Sequence, residues 1–413
     1  MLTPEYLQRI TEGAEEISSS LHRNIMSMII KRIMARLGRG EDYLLTQTDR
    51  WQIQVLQESG ELLEDIQKEI ADKTKKQTKE IQDAFRDAGI KALEWDDEIY
   101  RVAGLSPTPL LQSPMMLRIL ERDYLATAGE WNNFTRTTAL DAQRTFINQM
   151  DNAYHLVSTG AVSYTQAVRD VINNITEVGL KVNYPTGYRM SIESATMMIV
   201  RTGVGQAAAD ISLKRMEEME WDTVLVSAHL GARTGNGGMN PGNHLWWQGR
   251  FYSRTGKDKR FPDFVKTTGF GTGEGLCGWN CRHSFGSGDG VNNPYEDKKI
   301  TLADNHRVEE LQKKQRAQER RIRDTKRKIQ NLQTAVDNCK DDKARFELQN
   351  MLDRKAHTLK LQNKRYSTFC EENDLREYAE RLKVTKWDRQ QAMKTAGAAR
   401  RYENIKNMGT KKM

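Results

Sequence analysis

Five residues of types that bind metal ions lie between residues 221 and 300: His229, His244, Cys277, Cys281 and His283. The last three form a Cys-x3-Cys-x-His cluster that offers two or three ligands, and His229 or His244 would complete a tetrahedral zinc site. The second cysteine pair of a zinc ribbon is missing, and the spacing matches no standard finger. Alternatively, the cysteines are small buried hydrophobic residues and the histidines bond to backbone carbonyls. We expect no cofactor, with zinc as the alternative.

Two catalytic interpretations use the same segment. Cys281 and a nearby histidine would form a nucleophile–base pair. His229, Asn240 and His244 resemble the His-Asn-His set of a metal-dependent nuclease. However, the sequence has no paired carboxylates, no glycine-rich phosphate loop that opens a helix, and no nucleophile elbow. The sequence therefore favours a protein that is not an enzyme.

A third interpretation, which we prefer, is a structural polar network. Several side chains in or near this segment can donate hydrogen bonds to carbonyls or carboxylates. They are Arg201, Arg233, Gln248, Asn280 and Arg282. A satisfied network would hold glycine-rich loops in one shape without a large core. Trp246, Trp247 and Trp279 would provide the apolar anchor.

The composition of residues 221–300 differs from that of the rest of the chain. The segment holds 15 of the 29 glycines and four of the eight tryptophans. Residues 224–226 form a short β-type run, and polar loops follow it. This pattern predicts a small irregular domain that contains β-structure and whose loops carry the specificity.

The remaining sequence has mostly helical periodicity. It predicts one helix over residues 1–37 and a second over 48–103, while the proline-rich stretch 105–114 marks a boundary. Helices follow over 115–179, with a break near Gly160, and from about residue 191 to 219. The expected fold is α+β and predominantly α-helical. The predicted segments are 1–104, 105–220, 221–300, 301–384 and 385–413.

The segment 301–384 predicts a charged antiparallel helical hairpin or coiled coil. Apolar residues recur at a/d spacing on both sides of the polar turn 337–342. Several a/d positions are polar, among them Lys326 and Lys355, so the hairpin alone would be weak. The basic tail 385–413 is expected to be disordered unless a partner orders it.

Positive charge is concentrated at the end of the chain. Residues 301–413 hold 29 Lys+Arg against 17 Asp+Glu, a net +12, whereas the whole chain carries +8, so residues 1–300 carry −4. Such asymmetry indicates a basic arm that faces nucleic acid, or alternatively a solvated helical face. The candidate nucleic-acid contacts are Arg320, Arg321, Arg323, Lys326, Arg327, Lys328, Arg400 and Arg401.

Two classes of protein are disfavoured by the sequence. The chain has no run of 18 apolar residues and no basic region followed by an apolar stretch near residue 1, so we expect neither a transmembrane helix nor a secretory signal. Four cysteines among 413 residues are too few for a disulfide scaffold and fit a reducing cytosol.

Four ordered stretches resemble the minor capsid protein 2 family of tailed phages and, more distantly, the Mu F-type head-morphogenesis domain. They are Tyr184–Ala208, Val226–Arg233, His244–Ser253 and Phe261–Phe285. The resemblance covers roughly residues 1–300, with specific motifs between 184 and 290. Beyond residue 300 no resemblance is found, so the helical arm is expected to be particular to this lineage.

The resemblance implies a minor head protein, assembled in the bacterial cytoplasm and built into the virion near the portal. Portal protein, major capsid protein and packaged double-stranded DNA would be its partners. The family's recurrent polar positions fall on Arg201, His229, Arg233, His244, Gln248, Gly249, Asn280, Cys281, Arg282 and His283. The resemblance assigns them no reaction. The alternative is an effector enzyme, loaded into the capsid and delivered with the genome, with its active site in 221–300.

Overall fold

The computed structural model of the chain describes residues 1–45, 51–184, 186–296 and 300–410. Twelve helices and five short strands follow one another in the described residues. The helices are α1 Pro4–Arg9, α2 Glu12–Leu37, α3 Glu41–Leu45, α4 Trp51–Val102, α5 Pro114–Ser158, α6 Tyr164–Val178, α7 Ile192–Glu218, α8 His244–Trp247, α9 Phe264–Thr268, α10 Leu302–Asn338, α11 Asp342–Glu372 and α12 Arg389–Thr410. The strands are β1 Lys181–Asn183, β2 Arg189–Ser191, β3 Thr223–Val226, β4 Phe251–Ser253 and β5 Phe285–Ser287.

The predicted fold class is confirmed, because helices dominate and the strands form two small sheets. β1 and β2 pair as an antiparallel hairpin in the stretch between the helices predicted over 115–179 and from about residue 191. In the second sheet β3 lies between β4 and β5 and is antiparallel to both. This three-stranded sheet lies within the predicted β-containing segment 221–300.

The chain divides into two compact units, each assembled from three stretches of sequence. Unit 1 comprises residues 1–15, 74–133 and 194–313, and unit 2 comprises 16–73, 134–193 and 314–413. The five consecutive segments predicted from composition stay a prediction about sequence organisation. Unit 1 contains the whole glycine- and tryptophan-rich segment, together with the first residues of the basic region.

Unit 1 contains two clusters of buried apolar residues. One joins α1 to parts of α4, α5 and α7, and includes Phe85, Leu120 and Val204. The other lies on the three-stranded sheet and includes Trp247 and Phe264. Helical faces and a short sheet thus share the burial that stabilises this unit.

Side chains of α4 cover the outer edge of β5. Ser287 donates its backbone N–H to Asp96 at 2.7 Å, and its carbonyl oxygen accepts a hydrogen bond from Trp95 Nε1 at 3.0 Å. Tyr100 Oη lies 2.5 Å from Ser287 Oγ. Burial raises the pKa of Asp96 to about 6. The edge strand therefore has helix side chains as partners where a further strand would otherwise pair.

The predicted single helix over residues 1–37 is wrong in one respect, because it is interrupted between α1 and α2. Thr11 Oγ1 donates a hydrogen bond to the carbonyl oxygen of Gln8 at 2.8 Å. A side chain that bonds to nearby backbone competes with the helical hydrogen bonds at that point. The apolar periodicity continues across the interruption, which is why the sequence does not reveal it.

In unit 2, the part of α10 from residue 314 onward forms the predicted antiparallel hairpin with α11. Gln315 lies 3.5 Å from Cys370, and Tyr366 Oη donates to Glu319 at 3.1 Å, so residues far apart in sequence face each other. The a/d residues of both arms are largely buried: Ile322, Ile329, Leu332, Leu348, Leu352, Leu359 and Tyr366. The apolar spacing predicted this seam correctly.

The prediction of a disordered tail is wrong, because residues 389–410 form α12 and pack against α11. Arg401 donates two hydrogen bonds, of 2.8 and 2.9 Å, to the buried carboxylate of Asp353. Thr395, Ala398 and Ala399 are buried. Small residues let the helix approach closely, and a buried charge requires a partner. Neither feature gives a strong apolar signal in the sequence.

Unit 2 contains a buried carboxylate, Glu193 in the first turn of α7, which pairs with two other residues of the unit. Its Oε1 lies 2.9 Å from His22 Nδ1 and 3.0 Å from Arg327 Nε. Burial opposes ionisation of Glu193, but Arg327 and His22 outweigh it and hold the pKa of the carboxyl well below its ordinary value. The ionised group therefore stabilises the fold at neutral pH.

Among the described residues, no helix combines the length and apolarity needed to cross a membrane.

Replacing Glu193 with Gln should lower the free energy of unfolding by about 3 kcal/mol, because Arg327 would lose its buried counter-charge. The sign of the pH dependence follows from the lowered pKa. The carboxylate stabilises the fold above the ordinary Glu pKa of 4.5, and this contribution is lost as the pH falls. Denaturant unfolding followed by circular dichroism between pH 7 and about 3.5 measures both effects.

The same substitution at Glu177 is the matched control. Glu177 is half-exposed and pairs with Lys328 and Lys355, so Glu177→Gln should cost less than about 1 kcal/mol. Equal costs at the two positions, or a Glu193→Gln variant with the wild-type pH dependence, would contradict the assignment.

Candidate functional site

Three buried side chains from two stretches of sequence meet in unit 1. His244 begins the one-turn helix α8, whereas Cys281 and His283 lie just before β5. Cys281 Sγ is 3.8 Å from His244 Nδ1 and 3.7 Å from His283 Nδ1. All three potential ligand atoms lie within 4.8 Å of one another. We call these three residues the His–Cys–His cluster.

Gln248 fixes the orientation of His283. Its Oε1 accepts the backbone N–H of His229 at 3.1 Å and lies 2.8 Å from His283 Nε2. Because the backbone amide can only donate, the atom that faces it is the carbonyl oxygen of Gln248. His283 therefore carries its proton on Nε2, and its Nδ1 presents a lone pair to Cys281.

His244 is oriented by a backbone carbonyl on the glycine-rich loop. Its Nε2 lies 2.9 Å from the carbonyl oxygen of Glu274. Arg233 Nη2 donates to the same oxygen at 2.9 Å and lies 2.8 Å from His244 Nε2. Arg233 and His244 thus hold the loop near Glu274 through its main chain, whatever side chain Glu274 carries.

Burial keeps the groups of the site in their neutral forms. It lowers the pKa of His244 to about 4 and that of His283 well below its ordinary value, with the neighbouring histidines adding to the effect at His283. Burial also raises the pKa of the Cys281 thiol. An activated cysteine nucleophile needs the opposite shift, so this geometry does not favour the predicted nucleophile–base pair.

The predicted zinc ligands are only partly brought together. Cys281 and His283 are in the cluster, and His244 joins them. The Cys277 thiol instead faces the carbonyl oxygen of His283 at 3.9 Å. The His229 ring stacks on the His283 ring at 4.3 Å, so it lies beside the cluster. Neither Cys277 nor His229 belongs to the group of close ligand atoms found among the described residues.

Two of the other predicted network residues have polar side-chain partners elsewhere in unit 1, and two adopt the left-handed conformation. Arg201 Nη2 donates to Gln8 at 3.1 Å, and Arg282 Nη1 donates to Gln312 at 3.0 Å. Gly249 has a φ of 68°, which favours glycine, and little room for a Cβ, which would lie 3.0 Å from the Cβ of Ala228. Asn280 is exposed and also adopts the left-handed conformation.

The three tryptophans predicted to anchor the segment differ in burial. Trp247 is fully buried, and its Nε1 donates to the carbonyl oxygen of Pro241 at 2.9 Å. Trp246 is half-buried against the same core. Trp279 is 63% exposed, so its predicted role as a core anchor is wrong. A tryptophan in a loop segment looks the same in the sequence whether its ring is buried in the core or exposed to solvent.

The contacts of Asn240 do not support the predicted nuclease-like set of His229, Asn240 and His244. Asn240 is exposed and donates to the carbonyl oxygen of Gly237 at 2.5 Å. His244, by contrast, is buried, with its ring against that of Trp247.

Sequence reasoning missed the part that α10 plays in this site. Asn305 is fully buried, and its amide accepts the N–H of Ala232 at 2.9 Å and donates to its carbonyl oxygen at 2.8 Å. Thr234 donates to Glu309 at 3.1 Å. These contacts hold the loop that carries Arg233. Their only sequence signal is an asparagine in a charged helix, beyond the boundary predicted at residue 300.

The eight predicted nucleic-acid contacts fall into two groups. Five are engaged inside unit 2. Arg323 donates to Arg381, Lys326 to Leu382 and Arg401 to Asp353, whereas Arg327 pairs with Glu193 and Lys328 with Glu177. The other three, Arg320, Arg321 and Arg400, are exposed. Phosphate binding by the engaged five would require these internal contacts to break.

An exposed basic stripe on α11 was not predicted. Lys343, Arg354 and Arg365 are exposed and recur every eleven residues. Eleven residues make three helical turns with a drift of about 20°, so the three side chains share one face over about 33 Å. The eleven-residue spacing of these cations is visible in the sequence, where it overlaps the apolar a/d spacing that predicts the hairpin.

Residues 2–386 match the family described as phage minor capsid protein 2. The match passes residue 300 and includes the helical hairpin, so the expectation that the arm is particular to one lineage is wrong up to residue 386. No curated protein and no solved structure matches the chain. The family indicates a structural role in the virion, assembled with other capsid components. Because the match spans nearly the whole chain, the chain belongs to the phage minor capsid protein 2 family.

Proposed function

We propose that the chain is a structural protein of the phage head that docks onto the portal protein and the major capsid protein, at the portal vertex or on the capsid interior. Family membership carries this proposal. The exposed apolar residues around the α4–α5 connection in unit 1 support it and suggest where docking occurs.

The docking surface that we propose lies at the connection between α4 and α5. Five large apolar side chains within sixteen residues are exposed there: Val102, Leu105, Leu111, Met115 and Leu117. Prolines at 107, 109 and 114 restrict the backbone of this connection. A restricted, apolar connection loses little conformational entropy when a partner covers it, and burial of its side chains favours binding.

Lysine-reactive cross-linking of intact particles should join this chain to portal protein and major capsid protein. Replacing Leu111 with Glu places a charge where a partner would bury an apolar side chain, and a buried unpaired charge is costly. The number of copies per head should therefore fall by about tenfold or more, as measured by quantitative mass spectrometry of purified particles.

Met239→Glu is the matched control, because Met239 is also exposed in unit 1 but lies in the glycine-rich loop. It should leave incorporation unchanged. The docking site is rejected if both variants are incorporated equally well. The structural role is rejected if the intact particles yield no cross-links from this chain to another head protein.

We further propose that the basic region binds packaged double-stranded DNA without sequence preference. The net +12 of residues 301–413 supports this, as do the stripe Lys343, Arg354 and Arg365 and the exposed residue Arg400. Cations spaced along one helix face contact phosphates rather than base edges, so binding would depend strongly on salt.

The full-length chain should bind unrelated duplexes with equal affinity, and the logarithm of the affinity should fall linearly with that of the salt concentration. Replacing Lys343, Arg354 and Arg365 with Ala should reduce the slope by about 2–3, since each phosphate contact contributes about one unit. Fluorescence anisotropy across a salt series measures the slope.

The control replaces Lys257, Lys259 and Lys266 with Ala, which removes three exposed positive charges from unit 1. Its slope should equal that of the wild type. If both triple variants reduce the slope equally, net charge rather than the stripe governs binding. An affinity that does not depend on salt would reject the DNA contact.

A further inference from the structure

The His–Cys–His cluster has more acceptors than donors when both histidines carry their protons on Nε2. His283 Nε2 faces Gln248 Oε1, and His244 Nε2 faces the carbonyl oxygen of Glu274. A neutral imidazole carries its proton on one nitrogen only. The His283 proton is therefore directed away from the cluster. His244 Nε2 lies close both to the Glu274 carbonyl oxygen and to Arg233 Nη2, which can only donate. In the tautomer that donates to Glu274, both Nδ1 lone pairs point at Cys281 Sγ.

In that tautomer the thiol cannot satisfy both nitrogens. Its single, weak S–H donor can bond to one Nδ1 and leaves the other lone pair buried without a proton. A buried acceptor that lacks a donor is costly. A divalent cation between the three atoms would satisfy both nitrogens and the sulfur at once.

The two sulfur–nitrogen distances fit a zinc ion, whereas the two histidine nitrogens, up to 4.8 Å apart, would move closer together on binding. Nitrogen and sulfur atoms bound to tetrahedral zinc, at about 2.0 and 2.3 Å from the metal, lie about 3.5 Å apart. The two sulfur–nitrogen distances of the cluster are 3.7 and 3.8 Å. Zinc binds well to imidazole nitrogen and thiolate sulfur, whereas Mg²⁺ and Ca²⁺ prefer oxygen ligands.

The surroundings resemble the outer shell of a metal site. A histidine that binds a metal typically donates its other ring N–H to a carbonyl or carboxylate, which fixes the ring. Both histidines have such partners, one a side-chain amide and the other a backbone carbonyl. Gln248 is in turn fixed by the N–H of His229. The nitrogens are thus oriented in advance.

We propose that His244 Nδ1, Cys281 Sγ and His283 Nδ1 bind a zinc ion that ties α8 to the loop before β5. Binding releases one proton, from the Cys281 thiol, and no oxidant or reductant is needed. Cys277 and His229 are not ligands. This inference does not depend on which head protein the chain contacts.

Elemental analysis of the purified full-length chain, after dialysis against added Zn²⁺, should give about one zinc per chain. Cobalt substitution should add thiolate-to-metal charge-transfer absorption. Cys281→Ser should abolish that absorption and lower the zinc content at least about tenfold. Cys277→Ser, the matched control four residues away, should retain both.

X-ray absorption at the zinc edge of the wild-type protein does not depend on how the variants fold. It should show one sulfur ligand at about 2.3 Å and otherwise nitrogen or oxygen. Two sulfur ligands, or loss of zinc in both cysteine variants with wild-type circular dichroism, would overturn the ligand set. A wild-type chain that binds no zinc from added Zn²⁺ would overturn the site.

Discussion

The two hydrogen bonds that meet at Gln248 Oε1 are the constraint on which the glycine-rich segment depends. Its elements have only three to five residues each, so helical and sheet hydrogen bonds cannot define its loops. Gln248 joins the loop at His229 to the segment that precedes β5, at His283. Arg233 holds the loop at Glu274. Buried polar groups must be paired, and this requirement selects one loop conformation.

Buried charge plays a corresponding role in unit 2. Long helices leave few unpaired backbone groups, so specificity there comes from side chains such as Glu193 with Arg327 and Asp353 with Arg401. Removing one partner would leave an uncompensated charge. A minor capsid protein must present a defined surface to other head proteins, and paired buried charges together with apolar seams provide that rigidity within the unit.

The sequence predicted features with local signals. Apolar spacing located the long helices and the hairpin seam. Composition located the tryptophan- and glycine-rich segment. Contacts between distant residues were not predictable, because they leave no local pattern: Gln248 with His283, Asn305 with Ala232, and Glu193 with His22. For the same reason, ligand types suggested five metal-binding residues, but only the fold brings three of them together.

Hydrogen–deuterium exchange of the full-length chain tests most directly whether side-chain polar contacts fix these loops. In the wild type, peptides that cover 227–234 and 274–284 should be protected to nearly the same degree as α7, although they lack regular structure. Gln248→Leu should remove protection from both stretches and leave α11 unchanged. Rapid exchange of these loops in the wild type, or unaltered protection in the variant, would contradict the account.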